Sequence, residues 1–131
     1  MKKMLLLFIL LVPVLTYSQD ITGNWYWKSE TGSNSLELEF FLENGELKGR
    51  HCGSFYDGLK IDCVDGPSSC SIILAQVKIG LYEGTIQSGF SLSSGRIQLT
   101  YNPVSNNILF KVLQVPAGEY YFPKECILIR N

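Results

Sequence analysis

The sequence predicts an all-β domain, an antiparallel up-and-down barrel of about eight strands. Three observations carry that expectation. Short runs alternating apolar and polar residues recur along the chain, turn dipeptides separate several of them, and no segment has helical periodicity. A two-sheet sandwich is the alternative arrangement of the same strands.

Residues 23–30 hold Trp25, Tyr26 and Trp27, large side chains that suit a pleated surface. Leu36, Leu38, Phe40 and Leu42 alternate with Glu37, Glu39, Phe41 and Glu43, which is the clearest half-buried strand in the chain. Segments 46–55, 59–64, 71–79 and 81–87 follow it. Ile97, Leu99 and Tyr101 then alternate with Arg96, Gln98 and Thr100. Segment 108–115 and a last strand around 126–129 bring the expected total to about nine strands.

Two turns set register. Asn44-Gly45 and Asp57-Gly58 are the dipeptides that two-residue hairpin loops favour, because both central residues take positive φ. The first loop sets Glu39 opposite Arg50 as an exposed ion pair and Leu38 opposite His51, which places the histidine on the inner face. The second sets Cys52 opposite Cys63, within disulfide reach. It also leaves Leu59 and Ile61 on the outer face, so a bulge near Gly53 would flip this register.

The N-terminus bears on the compartment. Lys2 and Lys3 precede an apolar run from Met4 to Leu15, and Thr16-Tyr17-Ser18 supplies small residues before a cut at Gln19. That is the layout of a signal peptide over residues 1–18, leaving a single domain at 19–131 that is exported to the periplasm or secreted. The apolar run is too short for the ~20 residues that span a bilayer. Four cysteines in a small exported domain read as two disulfides, Cys52–Cys63 and, by remainder, Cys70–Cys126; the other two connectivities stay open. The spacing lacks the paired motifs of a zinc site, so neither a metal nor a cofactor is expected.

The inventory of reactive groups is thin. His51 is the only histidine, and Asp62 lies one diagonal step from it in the expected register. The pair reads as a hydrogen-bonded core contact or as a polar handle in a ligand cavity. No serine sits in a nucleophile-elbow pattern, and no phosphate loop or dinucleotide fingerprint occurs. Glu37, Glu39, Glu43 and Glu46 look like a solvated strand face. Basic residues are few and scattered, which argues against nucleic acid and anionic membrane surfaces as partners. The expectation is therefore a domain without enzymatic activity.

Asp20-Ile21-Thr22-Gly23-Asn24-Trp25-Tyr26 carries a G-x-W motif at Gly23 and Trp25, and Gly45-Glu46-Leu47-Lys48-Gly49 reads G-x-L-x-G. The first stretch resembles the opening of lipocalin and avidin-type barrels, and the second is similar to the end of the first avidin hairpin. That resemblance implies a lipocalin-like barrel whose first-strand tryptophan packs across one end. The later lipocalin motifs and the avidin biotin-site residues are missing, so biotin binding is not implied. The whole chain also resembles small exported proteins of Bacteroidota, which implies a source and a compartment but no activity.

Two binding modes follow. In the first, a small apolar or amphipathic ligand occupies the barrel, with Trp25, Trp27, Phe40, His51 and Asp62 as its candidate lining. In the second, a protein partner (of an inhibitor, immunity-type or envelope protein) meets an exposed face or the loop carrying Tyr120, Tyr121 and Phe122. That loop either covers a barrel mouth or presents a surface.

Overall fold

A computed structural model describes residues 21–64 and 69–131, so the expected signal peptide lies outside the described residues. The described chain forms nine strands and no helix: β1 (Gly23–Lys28), β2 (Ser35–Glu43), β3 (Glu46–Phe55), β4 (Lys60–Cys63), β5 (Ile72–Lys78), β6 (Leu81–Gln87), β7 (Ser94–Asn102), β8 (Asn107–Gln114) and β9 (Glu125–Arg130). Every pairing is antiparallel, and the pairing of β1 with both β2 and β9 closes an eight-stranded barrel with β4 as an extra strand.

Both turns deliver the expected register. Asn44 and Gly45 take positive φ, and Leu38 lies opposite His51 with Glu39 opposite Arg50. The Arg50 guanidinium pairs with Glu39 and stacks over Phe41, 4.2 Å from its ring centre. Asp57 and Gly58 also take positive φ, and β3 pairs with β4 from Cys52–Cys63 to Phe55–Lys60 without a bulge. Leu59 and Ile61 consequently face outward.

The β4 strand has a particular place in the ring. β2 covers one edge of β3 along its whole length, so β4 and β5 must share the other edge. β5 takes the part at Leu47–Gly49 and β4 the part at Cys52–Phe55. The chain enters the barrel at what we call the near end, where the β2–β3, β5–β6 and β7–β8 turns also lie. At the far end, β4 stands where β5 has stopped.

Alternate residues from every strand of the ring point inward and pack into one core. Trp25, Phe40, Phe110, Ile72, Ile86, Ile97, Leu99, Ile108 and Leu128 are fully buried. Trp25 packs edge-on against Tyr101, donates its indole N–H to the Ile21 carbonyl (2.8 Å) and lies under the Arg130 guanidinium. The far end is closed by the loop before β9, whose Phe122 enters the core against Phe110 and His51. Of the residues expected on an interaction loop, Phe122 is thus a plug.

The Cys52–Cys63 bridge is formed. The expected Cys70–Cys126 bridge is not; both thiols are free. Cys126 points inward from β9 opposite Phe110, whereas Cys70 leads into β5, and β9 and β5 are diametrically placed in the ring. A disulfide needs Cα atoms within ~7 Å, and the packed core separates these two. Burial pushes the Cys126 thiol up to about 12, with the Glu125 carboxylate adding to the effect, so it stays protonated and packs as an apolar side chain.

Replacing Cys52 and Cys63 together by serine should cost about 2–3 kcal/mol on the chain-entropy account of this short loop, measured by urea unfolding. Alkylation of the unreduced, unfolded protein should label Cys70 and Cys126 alone. Recovery of a Cys70–Cys126 peptide would contradict the described pairing.

Candidate functional site

The far end is organised by one carboxylate. Asp62, on β4, is fully buried, and it lies where β4 and the β6–β7 connection meet without a ladder between them. Its oxygens supply what the ladder would have. Oδ1 accepts from His51 Nε2 (2.8 Å) and from the Gly89 amide (2.6 Å). Oδ2 accepts from the Ser88 hydroxyl (2.7 Å) and from the Tyr121 amide (2.9 Å). One side chain thereby ties β3, β4, the β6–β7 connection and the plug loop together. Charge-assisted bonds of this kind are about twice as strong as neutral ones.

Two glycines allow the approach. A Cβ on Gly89 would meet the Cys63 carbonyl oxygen at 2.2 Å, and one on Gly53 would meet the Tyr121 carbonyl oxygen at 1.9 Å. Main chain therefore lies directly on main chain at both places, and only glycine fits. Burial alone would raise the Asp62 pKa. The bonds from His51, the Tyr121 amide and Ser88 outweigh it and hold the carboxyl below its usual value.

Ionised, Asp62 only accepts, so His51 carries a proton on Nε2. His51 Nδ1 is 2.6 Å from the Ser71 hydroxyl. Ser71, His51 and Asp62 thus lie in a hydrogen-bonded row with the residue types of a hydrolytic relay. All three are buried, however, and the carboxylate is fully engaged.

Around this buried knot the far end presents aromatic rings. Phe55, Tyr56, Phe90 and Tyr121 meet edge to face: Tyr121 is 6.3 Å from Phe55, 6.4 Å from Tyr56 and 5.0 Å from Phe90, centre to centre. The Lys60 ammonium lies over the Phe90 and Tyr121 rings at 5.4 and 5.8 Å. Tyr56 is 56% exposed and Phe90 45%, with Leu59 and Leu92 exposed beside them. The main chain beneath each ring is held. The Tyr56 amide donates to Asn34 Oδ1 (3.0 Å), the Phe90 amide to the Ser88 hydroxyl (3.0 Å) and the Tyr121 amide to Asp62. The Tyr121 hydroxyl donates to Glu119 (2.6 Å), which pushes its pKa up to about 12.

The sequence-nominated residues divide between these settings. Trp25 and Phe40 are core, His51 and Asp62 form the knot, and Trp27 is partly buried at the edge of the core. Tyr121 joins the aromatic face, while Tyr120 packs on the core beside Phe122. Ser71, Ser88, Gly89 and Lys60 had no sequence signal. Phe55, Tyr56 and Phe90 were visible as aromatics, but their meeting depends on three separate connections coming together. Elsewhere, a depression of about 510 Å³ lies along Asn24, Glu37, Glu39 and Arg50 on the outer face, and one of about 640 Å³ lies at the near end over Ile21, Leu47, Leu74 and Tyr82. Among the described residues no cluster of side chains could hold a metal ion.

Asp62→Ala strands four donors and should cost about 3–5 kcal/mol, read from thermal or urea unfolding. The pH dependence follows from the depressed carboxyl. Its stabilisation is complete above the unfolded value of 3.8 and is lost as pH falls through the lower folded value. Unfolding of the parent protein between about pH 2 and 5 should show this acid loss, and Asp62→Asn should flatten it. Equal slopes in the two proteins would contradict the assignment.

Comparison with models of known protein families, with curated proteins and with solved structures finds no match to this chain.

Proposed function

We propose that this chain is an exported, non-catalytic interaction barrel that engages a partner protein through the aromatic face at its far end. One observation carries the reading: Phe55, Tyr56, Phe90 and Tyr121 cluster at the surface, partly exposed, on main chain that is already fixed. Aromatic anchors that lose little freedom on binding are what interface hot spots use. The rings stand nearly perpendicular to one another, with Phe55–Tyr56 at 87° and Phe90–Tyr121 at 84°. Such a surface offers clefts for side chains rather than a flat platform for a sugar or a nucleobase.

Export is supported by the Lys2-Lys3 and Met4–Leu15 pattern and by the Cys52–Cys63 bridge, since disulfides persist in oxidising compartments. The reading as a small-ligand carrier is weakened by the lumen, where the side chains nominated to line a cavity pack against one another. A catalytic reading is weakened by the burial of Ser71, His51 and Asp62 and by the full engagement of the carboxylate in hydrogen bonds.

A photo-crosslinking residue at Tyr56 or Phe90, expressed in the native host, should yield a discrete protein adduct. The same residue at Lys111, on the outer face of β8, should yield none. Pairing Tyr56→Ser with Phe90→Ser should abolish the partner interaction while the unfolding midpoint stays close to the parent value. Adducts of equal yield at all three positions would contradict the proposal.

A further inference from the structure

The barrel closes at β1 and β9, and that ladder is the shortest in the ring. Trp25 pairs with Arg130 and Tyr26 with Ile129, and the register goes no further. At the near end the Asn131 amide extends it by donating to the Asn24 carbonyl (2.9 Å). Towards the far end β1 continues through Trp27 and Lys28, and β9 begins back at Glu125, with no pairing between them.

Ladder alternation says which groups face the opening. The Ser29 amide donates to the Asn34 carbonyl, so the odd-numbered residues of β1 bond to β2 and the even ones, including Lys28, face β9. The Val112 amide donates to the Lys124 carbonyl, so the even-numbered residues of β9 bond to β8, while Glu125 and Ile127 face β1. Lys28 and Ile127 would form the next pair. Instead, a cleft of about 370 Å³ opens there, lined by Tyr26, Trp27, Lys28, Ile127 and Ile129.

We propose that this seam takes one extended peptide segment of a partner protein by strand addition. The main-chain amides and carbonyls of Lys28 and Ile127 supply the ladder, and exposed Ile127 and Ile129 with Tyr26 supply apolar neighbours for alternate peptide side chains. The Lys28 ammonium favours an acidic residue at the far end of the segment. The occupant is a single strand because both edges belong to one barrel and remain joined at Tyr26–Ile129. A gap that tapers to a closed ladder admits a chain terminus or a loop, but not the edge of a second folded barrel. The seam uses none of the aromatic-face residues, so the inference does not rest on that face.

The test is backbone amide exchange by NMR on the purified protein, alone and with a synthetic acetylated peptide of alternating valine and threonine ending in aspartate. Without peptide, the Lys28 and Ile127 amides should exchange at least about tenfold faster than those of Tyr26 and Ile129. Saturating peptide should slow both by about tenfold or more, Lys28→Glu should weaken binding several-fold, and a backbone N-methylated peptide should not bind. Binding should survive the paired Tyr56→Ser and Phe90→Ser changes, which separates this site from the aromatic face. Slow exchange in the free protein, equal binding of the N-methylated peptide, or no binding at millimolar peptide would each overturn the proposal.

Discussion

The Asp62 carboxylate is the constraint from which the far end of this barrel follows. An eight-stranded ring needs a strand at every position, yet β5 stops at Ile72 and β4 takes over its edge of β3. The neighbour of β4 at that height is the β6–β7 connection, which has no strand to offer. A single ionised side chain bridges the gap by accepting from His51, Ser88, Gly89 and Tyr121. Without those donors, burying a carboxylate costs several kcal/mol; with them, the same charge holds four segments in register.

The position of the plug loop is one consequence. Because the Tyr121 amide is bound to Asp62, the next side chain, Phe122, is directed into the lumen against Phe110 and His51, and the Tyr121 ring is left outside. A one-residue step separates core from surface. Neighbouring residues of one loop thereby supply both a core ring and a ring of the aromatic face. The two ends of the molecule differ accordingly: the near end rests on hairpin turns, and the far end on side-chain bonds to loop amides.

Local rules made much of this legible in the sequence. Asn44-Gly45 and Asp57-Gly58 fix hairpins because few residues tolerate two successive positive φ values. From those turns the inward position of His51, its nearness to Asp62, the Glu39–Arg50 pair and the Cys52–Cys63 bridge follow by counting. What stayed hidden depends on closure through space. Cys70 and Cys126 were paired by remainder, yet ring order sets β5 and β9 on opposite sides. Ser88 and Gly89 sit in an ordinary turn sequence, and nothing local marks them as donors to a carboxylate on another hairpin. The loop of Tyr120, Tyr121 and Phe122 reads either as a cover for a barrel mouth or as a surface, because a loop sequence does not say which of three adjacent rings turns inward.

The most direct test of this account is hydrogen exchange at the Gly89 and Tyr121 amides, which lie in connections rather than strands. Loop amides ordinarily exchange through small local openings. If the buried carboxylate organises the far end, these two should exchange only with global unfolding, at the slow limit set by core strand residues such as Leu99, while the exposed neighbours Ala117 and Glu119 exchange freely. Exchange of Gly89 and Tyr121 at the rate of Ala117 and Glu119 would contradict it.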